Sequence, residues 1–175
     1  MSIRDGVDHA HIMRDGVLPG QIHNYPHNNE WLIRNLSHGG RVHDAIELAK
    51  IMIDLPRHPK FNQPEKGSSS AGFGLTRLVE VLVQYECWPE ILALHNTPYF
   101  RATKDADEQL QRARLLGLAH FGLGNAVEGQ KQLDLLDKSL KERREARYKA
   151  ADEAEAKARA DKKSDQDVAK AMADA

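Results

Sequence analysis

An all-α fold of stacked antiparallel helix hairpins, followed by a long charged C-terminal helix, is what the sequence predicts. Three observations carry this. Between residues 26 and 140 every apolar pattern recurs at intervals of three and four residues, the period of a helix with one buried face. No window shows the alternating β-branched pattern of a strand. Glycine-bearing turns, Gly39-Gly40 and Gly122-Leu123-Gly124-Asn125, fall between apolar runs, where chain reversals belong. A helix hairpin that leaves apolar surface on its outside is a unit for stacking, so the predicted work of the chain is holding something.

The elements follow in order. Residues 1–25 form an irregular, glycine-punctuated arm with few apolar anchors beyond Ile12, Met13, Val17 and Leu18. The helical-repeat domain occupies 26–140. Its first helix opens at Pro26, where a missing N–H is tolerated, and offers Trp31, Leu32, Leu36 and Ile33 as its packing surface. Beyond Gly40, residues Val42, Ala45, Ile46, Ala49, Met52 and Ile53 make the second helix apolar on one side, with Arg41, Asp44, Glu47, Lys50 and Asp54 on the other; Pro56 and Pro59 stop it. A loop to Ser70 ends in Ser68-Ser69-Ser70, a source of an N-cap. Leu75, Leu78, Val79, Leu82 and Tyr85 form a third face, and Pro89 opens a short fourth helix with Ile91, Leu92 and Leu94 inward. Asp105 to Phe121 is a fifth helix, with Leu110, Ala113, Leu116, Gly117 and either His120 or Phe121 on one face. A sixth places Gly129, Leu133, Leu136 and Leu140 at i, i+4, i+7 and i+11.

From about Asp137 the composition turns to Ala, Glu, Lys, Arg and Asp. The tail, 141–175, has too few large apolar residues to bury a core. Pairs such as Asp137–Lys141, Glu145–Lys149, Glu153–Lys157 and Glu155–Arg159 have the spacing that supports an exposed helix, which is expected to fray past about Asp161. The heptad seam of a coiled coil is missing.

Composition narrows the function classes. At 175 residues with 25 basic and 26 acidic side chains, the chain has no global electrostatic pull toward nucleic acid or anionic membrane. The basic cluster Lys141, Arg143, Arg144, Arg147 and Lys149 is interleaved with acids, which argues against a nucleic-acid surface. No apolar run approaches a membrane span, the N-terminus lacks a signal-like apolar region, and one cysteine, Cys87, fits a reducing compartment; a cytoplasmic location is the expectation.

The turns share a register: Gly40-x-Val42-x-x-Ala45-Ile46, Glu86-x-Trp88-x-x-Ile91-Leu92 and Gly124-x-Ala126-x-x-Gly129-Gln130. Leu116-Gly117-x-x-His120 precedes the third turn, and Leu55-Pro56 closes the first copy. With these residues the chain resembles the tetratricopeptide repeat family over about residues 26–140. The resemblance implies paired antiparallel helices stacked into a right-handed superhelix with a concave ligand face. Its turns are 46 and 38 residues apart, where the family repeats every ~34. The string LPGQIHNYPHNNEWLIRNLSHGGR, with RHPKFN and CWPEIL, is also similar to helical-repeat regions of large bacterial, planctomycete-type proteins that carry a thioredoxin-like redoxin domain. This chain has no Cys-x-x-Cys, so no redox role passes to Cys87.

On the repeat register, concave-face positions are His27, Glu30, Arg34 and His38, then Thr76, Glu80 and Gln84, then Arg114. These mix signs with amide and imidazole groups. They suit a protein or peptide partner, or a neighbouring domain of a longer chain, and neither a small-molecule substrate nor a cofactor is indicated. The Lys/Asn array with which some tetratricopeptide proteins clamp a terminal carboxylate is not reproduced. The leading expectation is therefore a non-enzymatic scaffold.

The alternative is a metal-binding or redox-associated module built on His9, His11, His23 and His27, since imidazoles gathered within nineteen residues are potential transition-metal ligands. Pro26 separates His23 from His27 and prevents an i, i+4 pair on one helix. Lys66-Gly67-Ser68-Ser69-Ser70 lacks a phosphate-loop arrangement and reads as capping; Asp105, Asp107 and Glu108 read as acids complementing a helix dipole.

Overall fold

The computed structural model describes residues 12–22, 24–58, 60–100 and 104–175, together with residue 10. Among them the chain is all-helical and contains no strand. After a 3-10 turn at Pro19–Gln21, the helices are α1 (Tyr25–His38), α2 (Val42–Asp54), α3 (Ser70–Gln84), α4 (Trp88–Leu94), α5 (Ala106–Gly122), α6 (Ala126–Ala160) and α7 (Asp165–Ala173). None is long and apolar enough to cross a membrane.

Helices α1, α2 and α3 pack mutually, and α4, α5 and α6 follow in a chain of neighbours, with α7 against α6. The core runs through the first five: Ile33 from α1, Ala45, Ile46, Ala49, Met52 and Ile53 from α2, Leu78, Val81 and Leu82 from α3, Ile91 from α4, and Leu115, Leu116 and Ala119 from α5. The apolar stripe expected on α2 is the stripe it buries. Close approach of α3 to α2 depends on Gly74, where a Cβ would stand 2.8 Å from both the Ala49 carbonyl oxygen and Ile53 Cγ1. Such a contact requires the methyl-free backbone.

Helix α1 departs from expectation. Trp31 and Leu32 are 55% and 42% exposed, whereas Ile33 is completely buried. The buried stripe is Pro26, Glu30, Ile33 and Ser37, at i, i+4, i+7 and i+11. Two of its four members are polar, so a reading that sought apolar residues rotated the helix the wrong way. Glu30 is tolerated inside because Arg77 of α3 meets it as an ion pair, and the Ser37 carbonyl accepts a hydrogen bond from the Tyr85 hydroxyl.

The loop between α2 and α3 is organised by Asn62, which is almost fully buried. Its Nδ2 donates to the carbonyls of Leu55 (3.3 Å) and Pro56 (2.9 Å), and its Oδ1 accepts from the Ala71 amide (3.0 Å). One amide side chain thereby closes the end of α2 onto the start of α3. Ser69 caps α3, its Oγ accepting from the Gly72 amide at 3.0 Å.

Helix α6 differs from the sixth helix expected. Gly129 is buried against the Phe121 ring, but Leu133 and Leu140 remain substantially exposed, because in this stretch α6 has α5 on one side and solvent on the others. The helix continues unbroken across residue 141 to Ala160. It returns along α5 far enough for Arg143 to pair with Asp107, and then projects beyond α5. Past Asp161, where fraying is the expectation, the chain turns and is helical again over Asp165–Ala173. Lys162 takes a left-handed turn (φ 55°), Ser164 caps α7 by accepting from the Asp167 amide, and Val168 buries itself beside the alanine-rich side of α6, where Ala158 is also buried. Alanine lets a neighbouring helix approach closely, which is how a segment with few large apolar residues still forms a contact. Of the expected tail pairs, Arg159 meets Glu155 at 2.7 Å, whereas Lys149 turns toward Glu153.

Candidate functional site

A cleft of about 170 Å³ lies between α1 and α3, lined by Ile33, Arg34, Ser37 and His38 on one wall and Arg77, Glu80, Val81 and Gln84 on the other. Ile33 and Val81 belong to the core and form an apolar floor. Several of the polar groups are paired with one another. Arg77 is shared between buried Glu30 and exposed Glu80, and Ser37 Oγ donates to Gln84 Oε1 at 3.5 Å. Burial by itself lowers the pKa of Arg77, but the hydrogen bonds and charges of Glu80 and Glu30 outweigh it, and the guanidinium stays firmly protonated. Arg34 makes no ion pair with any described residue.

Four of the eight concave-face residues named from sequence, Arg34, His38, Glu80 and Gln84, meet in this cleft. The others do not line it. Glu30 is turned inward and buried, which corrects its assignment to an accessible face; the neighbouring Arg77 makes burial of its charge tolerable. His27 is exposed one turn before Trp31, with ring centroids 4.7 Å apart. Thr76 is exposed, and its hydroxyl donates to the Gly72 carbonyl of its own helix (3.1 Å). Arg114 lies exposed on α5 with Nε 3.3 Å from Gln111 Oε1. Sequence reasoning missed Arg77 altogether: its partner Glu30 is 47 residues away, and only the i, i+3 spacing to Glu80 marks it locally.

Of the four histidines proposed as metal ligands, His9, His11 and His23 lie outside the described residues. Among the described residues no three His, Cys, Asp or Glu side chains converge as a metal site. Cys87 precedes α4 half-buried; burial and then the charge of Glu90 push its thiol above the ordinary value, which disfavours the reactive thiolate. At the start of α3 the amides of Ala71 and Gly72 are taken by Asn62 and Ser69, so this terminus is capped, as expected from the serine run. Asp105 caps α5 in the same way, accepting from the amides of Asp107 and Glu108 at 3.0 and 2.9 Å.

At the joint of α4 and α5, Arg112 donates to Asn96 Oδ1 (2.6 Å) and to the Phe100 carbonyl (3.2 Å). Half-buried His95 adjoins this joint; desolvation, then the charges of Arg112 and His120, lower its pKa below the ordinary 6.5. On α6, a shallow depression is lined by Asp134, Asp137, Lys138, Lys141, Glu142 and Glu145, all from one helix. Alternating charges on a single exposed face describe a solvated helix better than a site.

No protein-family model, no curated protein and no solved structure matches the chain.

Proposed function

We propose that the chain is a non-enzymatic, tetratricopeptide-like helical-repeat scaffold, with its helices paired as antiparallel hairpins, that binds a protein or peptide across the α1/α3 face. A neighbouring domain of a longer chain would use the same face. The observation that carries this reading is the convergence of Arg34, His38, Glu80 and Gln84: positions chosen on the repeat register, from helices some forty residues apart in sequence, line one cleft. The groups gathered there are a guanidinium, an imidazole, a carboxylate and an amide over an apolar floor, a set suited to orienting a peptide by hydrogen bonds while apolar contact supplies area.

Selection from a random peptide library tests it. Selected peptides should lose about tenfold or more in affinity, ~1.4 kcal/mol, on His38→Ala or Gln84→Ala, and none on Glu47→Ala in α2. Binders indifferent to the cleft substitutions, or an empty selection, would overturn the proposal.

A further inference from the structure

The exposed side of α1 adjoins the cleft, with Arg34 and His38 lining both. His27, Trp31, Arg34 and His38 are spaced i, i+4, i+7 and i+11, so they lie in one stripe, and all four are exposed. Trp31 leaves more than half of its surface in solvent while resting on the His27 ring, which in turn stands 6.3 Å from Phe73. A braced indole loses little freedom on binding, and Trp and Arg are the residue types that most often dominate binding energy at interfaces.

Charge selects the occupant. The one acid of α1 is Glu30, and it is buried and bound to Arg77. Across the cleft Glu80 is bound to the same Arg77. Each carboxylate therefore already has one oxygen on Arg77, and of the two arginines lining the cleft Arg34 is the one left without an ion pair among the described residues. A planar guanidinium with open donors is matched best by a carboxylate, which takes two parallel hydrogen bonds from it.

We infer that the α1 stripe anchors an acidic segment of a partner protein, with a side-chain carboxylate held by Arg34 and an adjacent apolar side chain laid on Trp31. The inference rests on reading the α1/α3 face as protein-binding. A nucleic acid is a poorer occupant, because one unpaired arginine facing Glu80 gives little of the basic footprint that phosphate binding requires.

The probe is the capped peptide acetyl-Gly-Ser-Glu-Phe-Gly-Ser-amide, titrated into the full chain while the indole N–H signal of Trp31 is followed by nuclear magnetic resonance. Three comparators accompany it: the same peptide with Gln for Glu, that Gln peptide with a free C-terminus, and oligouridylate. The expected result is movement of the Trp31 signal by the Glu peptide, at an affinity about tenfold above that for the capped Gln peptide. Arg34→Gln should erase that tenfold difference, and Trp31→Ala, followed through the backbone amide signals of α1 in place of the lost indole, should weaken both peptides alike. Arg34 and Trp31 are exposed, so these variants leave the core intact; unchanged amide spectra of α2 and α3 verify it. Equal affinity for both capped peptides overturns the acidic anchor and leaves peptide binding standing. A free-terminus Gln peptide as tight as the Glu peptide overturns the side-chain source of the carboxylate. Oligouridylate binding more tightly than any peptide overturns the partner class and the protein-binding reading together. Absence of any Trp31 shift up to the solubility limit of the peptides overturns the inference, and the library selection then decides separately whether the face binds peptides.

Discussion

Helices α2 and α6 are both regular and both amphipathic on paper, yet they are held by different forces. In α2, thirteen residues long, Ala45, Ile46, Ala49, Met52 and Ile53 are all buried; in α6, thirty-five residues long, only Gly129 and Ala158 are. The shorter helix exists because its neighbours enclose it, since thirteen residues alone are marginal in water. The longer one relies on local terms: alanine and charged residues of high helical propensity, and i, i+3 or i, i+4 pairs such as Lys131–Glu128 (2.6 Å) and Arg159–Glu155 (2.7 Å). Each such exposed pair adds only ~0.2–0.5 kcal/mol, but the contribution is spread along the whole length. The lesson is that sequence periodicity reports a capacity for burial; whether a helix buries its stripe depends on how many neighbours the topology gives it.

The largest expected effect comes from breaking the enclosed region. Leu82→Ala, at a completely buried position of α3, should cost about 2–5 kcal/mol. Leu135→Ala on α6 should stay within about 0.5 kcal/mol, since that side chain is already more than half exposed. Denaturant midpoints with unchanged slopes would establish the contrast, and a costly Leu135→Ala would show that α6 has a partner on that side.

A smaller effect is expected from overfilling the enclosed region. Ala45 has no exposed surface, so Ala45→Leu should cost about 1–3 kcal/mol through overpacking. Glu47, exposed and bonded to Lys50 at 2.8 Å, should tolerate Ala within about 0.5 kcal/mol. Equal costs for the two would mean that α2 is turned about its axis relative to the core.

His95 sharpens the comparison from within the enclosed region, at the joint of α4 and α5. Its folded pKa lies below 6.5, so on acidification the unfolded chain takes up the proton first, and stability falls as the pH drops from about 6.5 toward the lower folded value. His95→Gln should flatten that part of the stability–pH curve relative to the parent protein. An unchanged slope would mean that neither burial nor the charges of Arg112 and His120 act on this imidazole in the folded chain.

The smallest effect is reserved for the distal end. Removing residues 150–175 should reduce helical circular dichroism yet leave the melting transition of the α1–α5 core in place, because α7 packs on α6 and not on the core helices. A drop of several degrees would show that the two regions unfold as one unit.

Much of the enclosed region was legible in the sequence. The stripe of α2, the serine cap of α3, the acidic start of α5 and the short α4 after Cys87 are all local signals, set by spacing and by the hydrogen bonds of a helix terminus. Half of the cleft was legible for the same reason, since Arg34, His38, Glu80 and Gln84 sit at periodic positions. What stayed hidden was non-local. Glu30 reads as a surface acid until Arg77, 47 residues on, is placed against it. Trp31 reads as core because of its size, and it is displaced outward by a buried stripe half made of polar residues. Asn62 carries no pattern, although three backbone groups depend on it. The order of α7 rests on alanine surfaces and one valine, a combination that hydrophobic patterning weighs too lightly.

The overhang of α6 has a mechanical meaning. Beyond Arg143, where α5 begins, the helix runs on to Ala160, a length of about 25 Å at 1.5 Å per residue. That segment is a lever whose fulcrum is the α5/α6 contact. A tilt of about 10° at the fulcrum carries the tip about 4 Å sideways, and α7, clasped to the far end, travels with it. Slight adjustments among the packed helices would thereby be converted into a displacement of the distal end several ångströms across.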